Sequence, residues 1–162
     1  MIIIISFFSF ILEYLFNYLL KKTLFLPLIT LTTTVIVRPF FKKNNNLFYM
    51  FCFILGFLYD LIYTGNFFLS AGIYLIIGII INLISTNMPN NIFTSIFKII
   101  CAVIIYRTLC FLFFYINGIT IFSISNLFKS IYSSLLLNII YGTLIYLILY
   151  LLSKKFNIKR ID

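Results

Sequence analysis

Residues 47–84 read LFYMFCFILGFLYDLIY, then TGN, then FFLSAGIYLIIGIIINLI. Two apolar runs, 47–63 and 67–84, are separated only by Thr64-Gly65-Asn66, a composition that makes a tight turn. At about 1.5 Å per residue, each run crosses most of a hydrocarbon core about 30 Å thick. In such a core every backbone N–H and C=O has to be satisfied within its own segment, so the runs are helices rather than strands. The pair therefore reads as a transmembrane hairpin with Asp60 just before its turn.

The same reading extends in both directions. Before the hairpin lie runs at 2–20 and 24–41, divided by Lys21-Lys22-Thr23 and followed by the loop Lys42-Lys43-Asn44-Asn45-Asn46. No basic residue precedes Ile2 and no A-x-A-like site follows Leu20, so the first run is read as a membrane helix and not as a leader peptide. After the hairpin, Ser85 to Asn91 forms a polar break with Pro89 in it. A fifth run covers 92–116, Asn117-Gly118 opens a polar stretch ending at Lys129, and a sixth run covers 131–152. The expected architecture is a single polytopic domain, an all-α bundle of about six transmembrane helices; a five-span variant stays open in the first two runs.

Composition agrees and narrows the function. Of the 162 residues, 64% are hydrophobic and only 9% charged, so the surface is built to face lipid, because a soluble domain needs roughly a quarter of its residues charged. No length remains for a separate catalytic domain. The net charge of +9 does not suggest nucleic acid, since most of the twelve Lys and Arg stand at run ends, where bases fix orientation. With no His and three acids, the chain lacks the donor set for a zinc or di-iron site and the parts of a Ser-His-Asp or Cys-His arrangement. Cys52, Cys101 and Cys110 lie inside apolar runs with no CxxC pair and read as small hydrophobes. No cofactor and no enzymatic chemistry are expected.

Counting flanking bases orients the bundle. With both termini in the cytoplasm, Arg38, Lys42, Lys43, Lys98, Lys154, Lys155, Lys159 and Arg160 lie inside and Lys21, Lys22 and Lys129 outside, eight against three. Lys21-Lys22 alone would argue the reverse for the first helix.

Small and weakly polar residues mark the faces on which membrane helices pack. Spacing of four sets Cys52, Gly56, Asp60 and Thr64 on one face of the third run. It likewise aligns Ser70, Tyr74, Gly78, Asn82 and Thr86 on the fourth, and Ser130, Ser134, Asn138, Gly142, Tyr146 and Tyr150 on the sixth. Helix packing explains such stripes; a polar solute cavity would need several to converge on a void. Glu13, Asp60 and Arg107 are charges inside runs, which are expensive in hydrocarbon unless partnered. Counted along their helices at about 1.5 Å per residue, all three reach similar depth, roughly 17–20 Å from the inner edge. The expectation is a structural ion pair between Arg107 and Asp60, with Glu13 as the competing partner. Asp60 could also accept backbone N–H groups at the turn.

The stretch Gly56-Phe57-Leu58-Tyr59-Asp60-Leu61-Ile62-Tyr63-Thr64-Gly65, continuing to Gly72-Ile73-Tyr74-Leu75, resembles the rod shape-determining protein family MreD: a Gly, an Asp, a Gly-containing turn, a small residue, then a long apolar helix. Length, span count, Pro27 in the second run, and Asn138 in a last run leading to a basic tail are similar too. The chain departs from the pattern where Phe67-Phe68-Leu69 delays the small residue to Ser70-Ala71-Gly72. The resemblance implies a non-enzymatic scaffold of the bacterial cell-elongation machinery, a multi-pass inner-membrane protein. Its partners would be an MreC-like bitopic protein and, through it, actin-like MreB and peptidoglycan synthases. It also implies a fold like that of the substrate-binding subunits of energy-coupling factor vitamin transporters, which makes such a subunit the rival reading. Against the rival, the first helix lacks an Ala-x-x-x-Ala docking face; the chain's two alanines are Ala71 and Ala102. Gly56, Asp60, Gly65, Gly72, Glu13, Arg107 and Asn138 are the candidate structural or partner-contact residues.

Overall fold

A computed structural model describes residues 2–19, 27–41, 44–64, 68–119 and 123–155. These form six α-helices: α1 Ile2–Leu19, α2 Ile29–Val37, α3 Asn45–Tyr59, α4 Leu69–Asn87, α5 Ile92–Ile116 and α6 Ile124–Lys155. A 3-10 turn, Arg38–Phe41, continues α2, and a π turn, Asp60–Thr64, continues α3. No strand occurs among the described residues. Among the described residues five helices are long and apolar enough to span a membrane, so this is a multi-pass bundle.

The second run departs from expectation. Expected as a full span over 24–41, it is a short helix over Ile29–Phe41, too short to be counted with the five. Pro27 has no amide to donate and disfavours helix in the residue before it, and Pro27 and Leu28 are non-helical. Residues 24–26 and the turn residue Gly65 lie outside the described residues. The last run departs the other way: α6 begins at Ile124, not 131. The polar segment Ile124 to Ser130 contains no Gly or Pro, so loss of hydropathy marks where lipid would end, not where the helix does. Gly118 closes α5 at φ +68°, with Gly118 N–H donating to Tyr115 O and Ile119 N–H to Phe114 O, a Schellman ending that needs a left-handed residue.

The two largest helix pairings, α3–α4 and α5–α6, are antiparallel. In α3–α4, Gly56 meets Ser70 and Ala71 while Gly78 meets Cys52. In α5–α6, Arg107 meets Ser134 and Ile99 meets Gly142. Helix α2 threads the middle, packed on α1, α4, α5 and α6, and all nine of its residues are buried. Its threonines survive there by bonding backward along the helix: Thr32, Thr33 and Thr34 donate Oγ1 to the carbonyls of Leu28, Ile29 and Thr30 at 3.0, 3.0 and 2.8 Å.

The stripes read from sequence are buried through most of their length. Cys52, Gly56 and Asp60 are buried on α3, Ser70, Tyr74, Gly78 and Asn82 on α4, and Ser134, Asn138 and Gly142 on α6. They fail at the ends, where Thr86 and Tyr150 are exposed. On the opposite face of α6, Leu136, Ile140, Leu144 and Ile148 point outward, as a lipid-facing row should.

Candidate functional site

Two helices begin inside the bundle rather than at its edge, and both starts create the same problem. The first turn of a helix leaves N–H groups with no intrahelical acceptor. Both starts are buried in protein, so side chains of other helices accept them. At the start of α2, Leu28 N–H donates to Asn138 Oδ1 at 2.8 Å. Thr30 donates both its N–H and its hydroxyl to Glu13 Oε2, at 2.8 and 2.6 Å. Thr32 Oγ1 lies 3.3 Å from the same Asn138 oxygen. Glu13 and Asn138 are completely buried. A carboxylate is well placed there, because the helix N-terminus carries partial positive charge.

The start of α4 is solved with a residue from α3's end. Asp60 Oδ2 accepts the N–H groups of Ser70 and Ala71 at 2.8 and 3.2 Å. The chain arrives through Phe68, whose φ of 66° is unusual for a bulky side chain. Gly56 sits one turn before Asp60, and a Cβ built on it would fall 2.6 Å from Ser70 O and 2.7 Å from Ala71 Cα. The absent side chain is what lets α4 come close enough for Asp60 to reach its amides.

Of the candidate residues, Glu13 and Asn138 thus meet at the start of α2, and Gly56 and Asp60 at the start of α4. Gly72 joins neither: it is exposed, and a Cβ there would meet nothing within 4 Å. Arg107 donates Nε to Ser134 Oγ at 3.4 Å. The contacts of Asp60 Oδ2 and Glu13 Oε2 given above are backbone and hydroxyl donors, the alternative that the sequence left open for Asp60. Thr30 was visible in the sequence only as part of a threonine-rich run; nothing there marks its amide as the partner of Glu13.

Arg107 also lines a cleft of about 420 Å³ with Asn17, Tyr59, Tyr63 and Tyr106. Tyrosine rings wall it: Tyr59 and Tyr63 centroids are 4.8 Å apart, and Tyr59 and Tyr106 6.3 Å. Tyr63 OH donates to Phe10 O at 2.7 Å, tying α1 to this wall. Elsewhere in the bundle, Tyr74 OH and Asn138 Nδ2 are buried without a partner among the described residues. No cluster of three or more His, Cys, Asp or Glu occurs among the described residues. Comparison with protein-family models, curated proteins and solved structures finds no match to this chain.

Proposed function

We propose that this chain is a non-enzymatic scaffold subunit of the bacterial cell-elongation machinery, seated in the inner membrane and binding an MreC-like bitopic protein. Through that partner it would influence MreB and the peptidoglycan synthases. One observation carries the proposal: the residues behind the MreD resemblance, Gly56 and Asp60, make the closest helix contact and the buried cap of the α3–α4 hairpin. A motif used to fix one hairpin fits a protein whose role is to present a rigid surface. Depletion should round or swell rod-shaped cells while vitamin uptake continues. Normal shape, with a growth defect cured by excess vitamin, would overturn the proposal.

That outcome would favour a substrate-binding subunit of an energy-coupling factor vitamin transporter. The observation in its favour is the tyrosine-walled cleft with Arg107, whose size and chemistry suit a small anionic solute.

The orientation proposed with this role has both termini in the cytoplasm. In a background without Cys52, Cys101 and Cys110, a membrane-impermeant thiol reagent applied outside should label a cysteine at Asn66 and spare one at Asn45. The reverse pattern would invert the bundle.

A further inference from the structure

We infer that the end of the bundle holding Arg38 and Lys98 is a binding site for the phosphate of an anionic membrane lipid. The inference is independent of the scaffold reading. Arg38 closes α2 and is 7% exposed; Lys98 on α5 is 3% exposed. Arg38 donates Nε to Asn82 Oδ1 at 2.8 Å and an Nη to the same oxygen, and another bond reaches Asn45 Oδ1 at 2.9 Å. Its guanidinium carbon lies 5.2 Å from the centre of the Phe48 ring. Lys98 Nζ reaches Asn90 Oδ1 at 3.4 Å. Every one of these partners is neutral, and the helices that carry the two cations, α2 and α5, pack on each other.

Nothing described in the chain balances them. The carboxylates among the described residues are Glu13 and Asp60, and both serve helix starts deeper in the bundle. Glu13 binds Thr30, about 12 Å up α2 from Arg38, and Asp60 lies about 22 Å along α3 from Asn45. Two buried like charges without a counter-charge are unfavourable in apolar surroundings. An anion arriving from outside the chain removes that cost.

The surroundings favour a lipid as its carrier. Beside Asn90 runs a groove of about 370 Å³ between the start of α5 and the end of α6, lined by Ile92, Phe93, Tyr146, Leu147 and Tyr150. Tyr146 OH donates to Asn90 O at 3.3 Å, so the groove wall and the amide that contacts Lys98 are one unit. An acyl chain fits the apolar groove while the headgroup phosphate meets Lys98, whose flexible stem lets the ammonium reach toward the helix end. Basic pockets between membrane helices are where anionic headgroups bind.

The test uses the full chain in detergent, with Lys98→Met as the variant, because methionine replaces a buried charge by an apolar chain of similar length. Thermal melting is followed on adding phosphatidylglycerol, phosphatidylcholine or inorganic phosphate. Phosphatidylglycerol should raise the melting temperature of the parent by several degrees, phosphatidylcholine should not, and Lys98→Met should lose the response. Lys129→Gln, an exposed base at the other end of α6, should keep it. An equal rise with inorganic phosphate would assign the site to a free anion and overturn the lipid. An undiminished response in Lys98→Met, or none in the parent, would overturn the site.

Discussion

Gly56→Ala is expected to be among the most damaging single-methyl changes this protein can receive. The added Cβ would stand 2.6 Å from Ser70 O and 2.7 Å from Ala71 Cα, and both are backbone atoms that no rotamer change can move aside. Helices α3 and α4 would have to part, drawing Asp60 Oδ2 away from the N–H groups it caps. Overpacking alone costs about 1–3 kcal/mol, and an unmet buried amide adds about 1–3 kcal/mol. Two other glycines calibrate the result. Gly142→Ala meets the ends of the Ile99 and Thr32 side chains, which can shift, so its loss should be smaller. Gly72→Ala meets nothing and trades a poor helix former for the best, so it should be neutral or stabilising by up to about 1 kcal/mol. Equilibrium unfolding in mixed detergent micelles orders the three. Equal losses at Gly56 and Gly72 would refute the close-contact account.

The second large effect is expected at the acids. Glu13→Ala removes the acceptor of both the amide and the hydroxyl of Thr30 in a fully buried place. A loss of about 3 kcal/mol is expected, from stranded donors and the lost charge at a helix N-terminus. Glu13→Gln keeps an oxygen there and should lose much less. Asp60→Ala and Asp60→Asn should differ in the same sense, since asparagine can still accept from Ser70 and Ala71. The ion-pair expectation makes the opposite forecast. If charge attraction to Arg107 governs Asp60, Asp60→Asn should be nearly as harmful as Asp60→Ala, and Arg107→Gln should rescue it in a double-mutant cycle. If Glu13→Gln is the one rescued by Arg107→Gln, Glu13 is the partner. Mild loss at Asn and Gln with no rescue identifies the amides as the decisive partners.

Sequence was informative about class and about which residues face inward, for reasons particular to membranes. Lipid rewards uniform apolarity, so Glu13, Asp60 and Asn138 stand out against their runs, and all three are buried at a helix start. What Glu13 and Asn138 hold was harder to read than the backbone-accepting role open to Asp60, because an amide at Leu28 or Thr30 looks like any other in a sequence, whereas a charged side chain such as Arg107 is a visible partner. Arg38 illustrates a related blindness. At the end of a run it looks like a base that orients the bundle, yet it is buried between Asn82, Asn45 and the Phe48 ring. Hydropathy likewise missed that α2 starts late and α6 starts early, because it reports where lipid is tolerated and not where hydrogen bonding along the backbone begins.

The Leu28–Asn138 bond spans 110 residues, and this has a bearing on biosynthesis. A ribosome adding about 5–20 residues per second takes roughly 5–20 s to cover that distance. Throughout that interval Glu13 has already been made, but the oxygen for the Leu28 amide has not. The nascent bundle therefore waits, incompletely closed at its centre, for a helix near the far end of translation. A chain interrupted before Asn138 would keep the Leu28 amide without its acceptor.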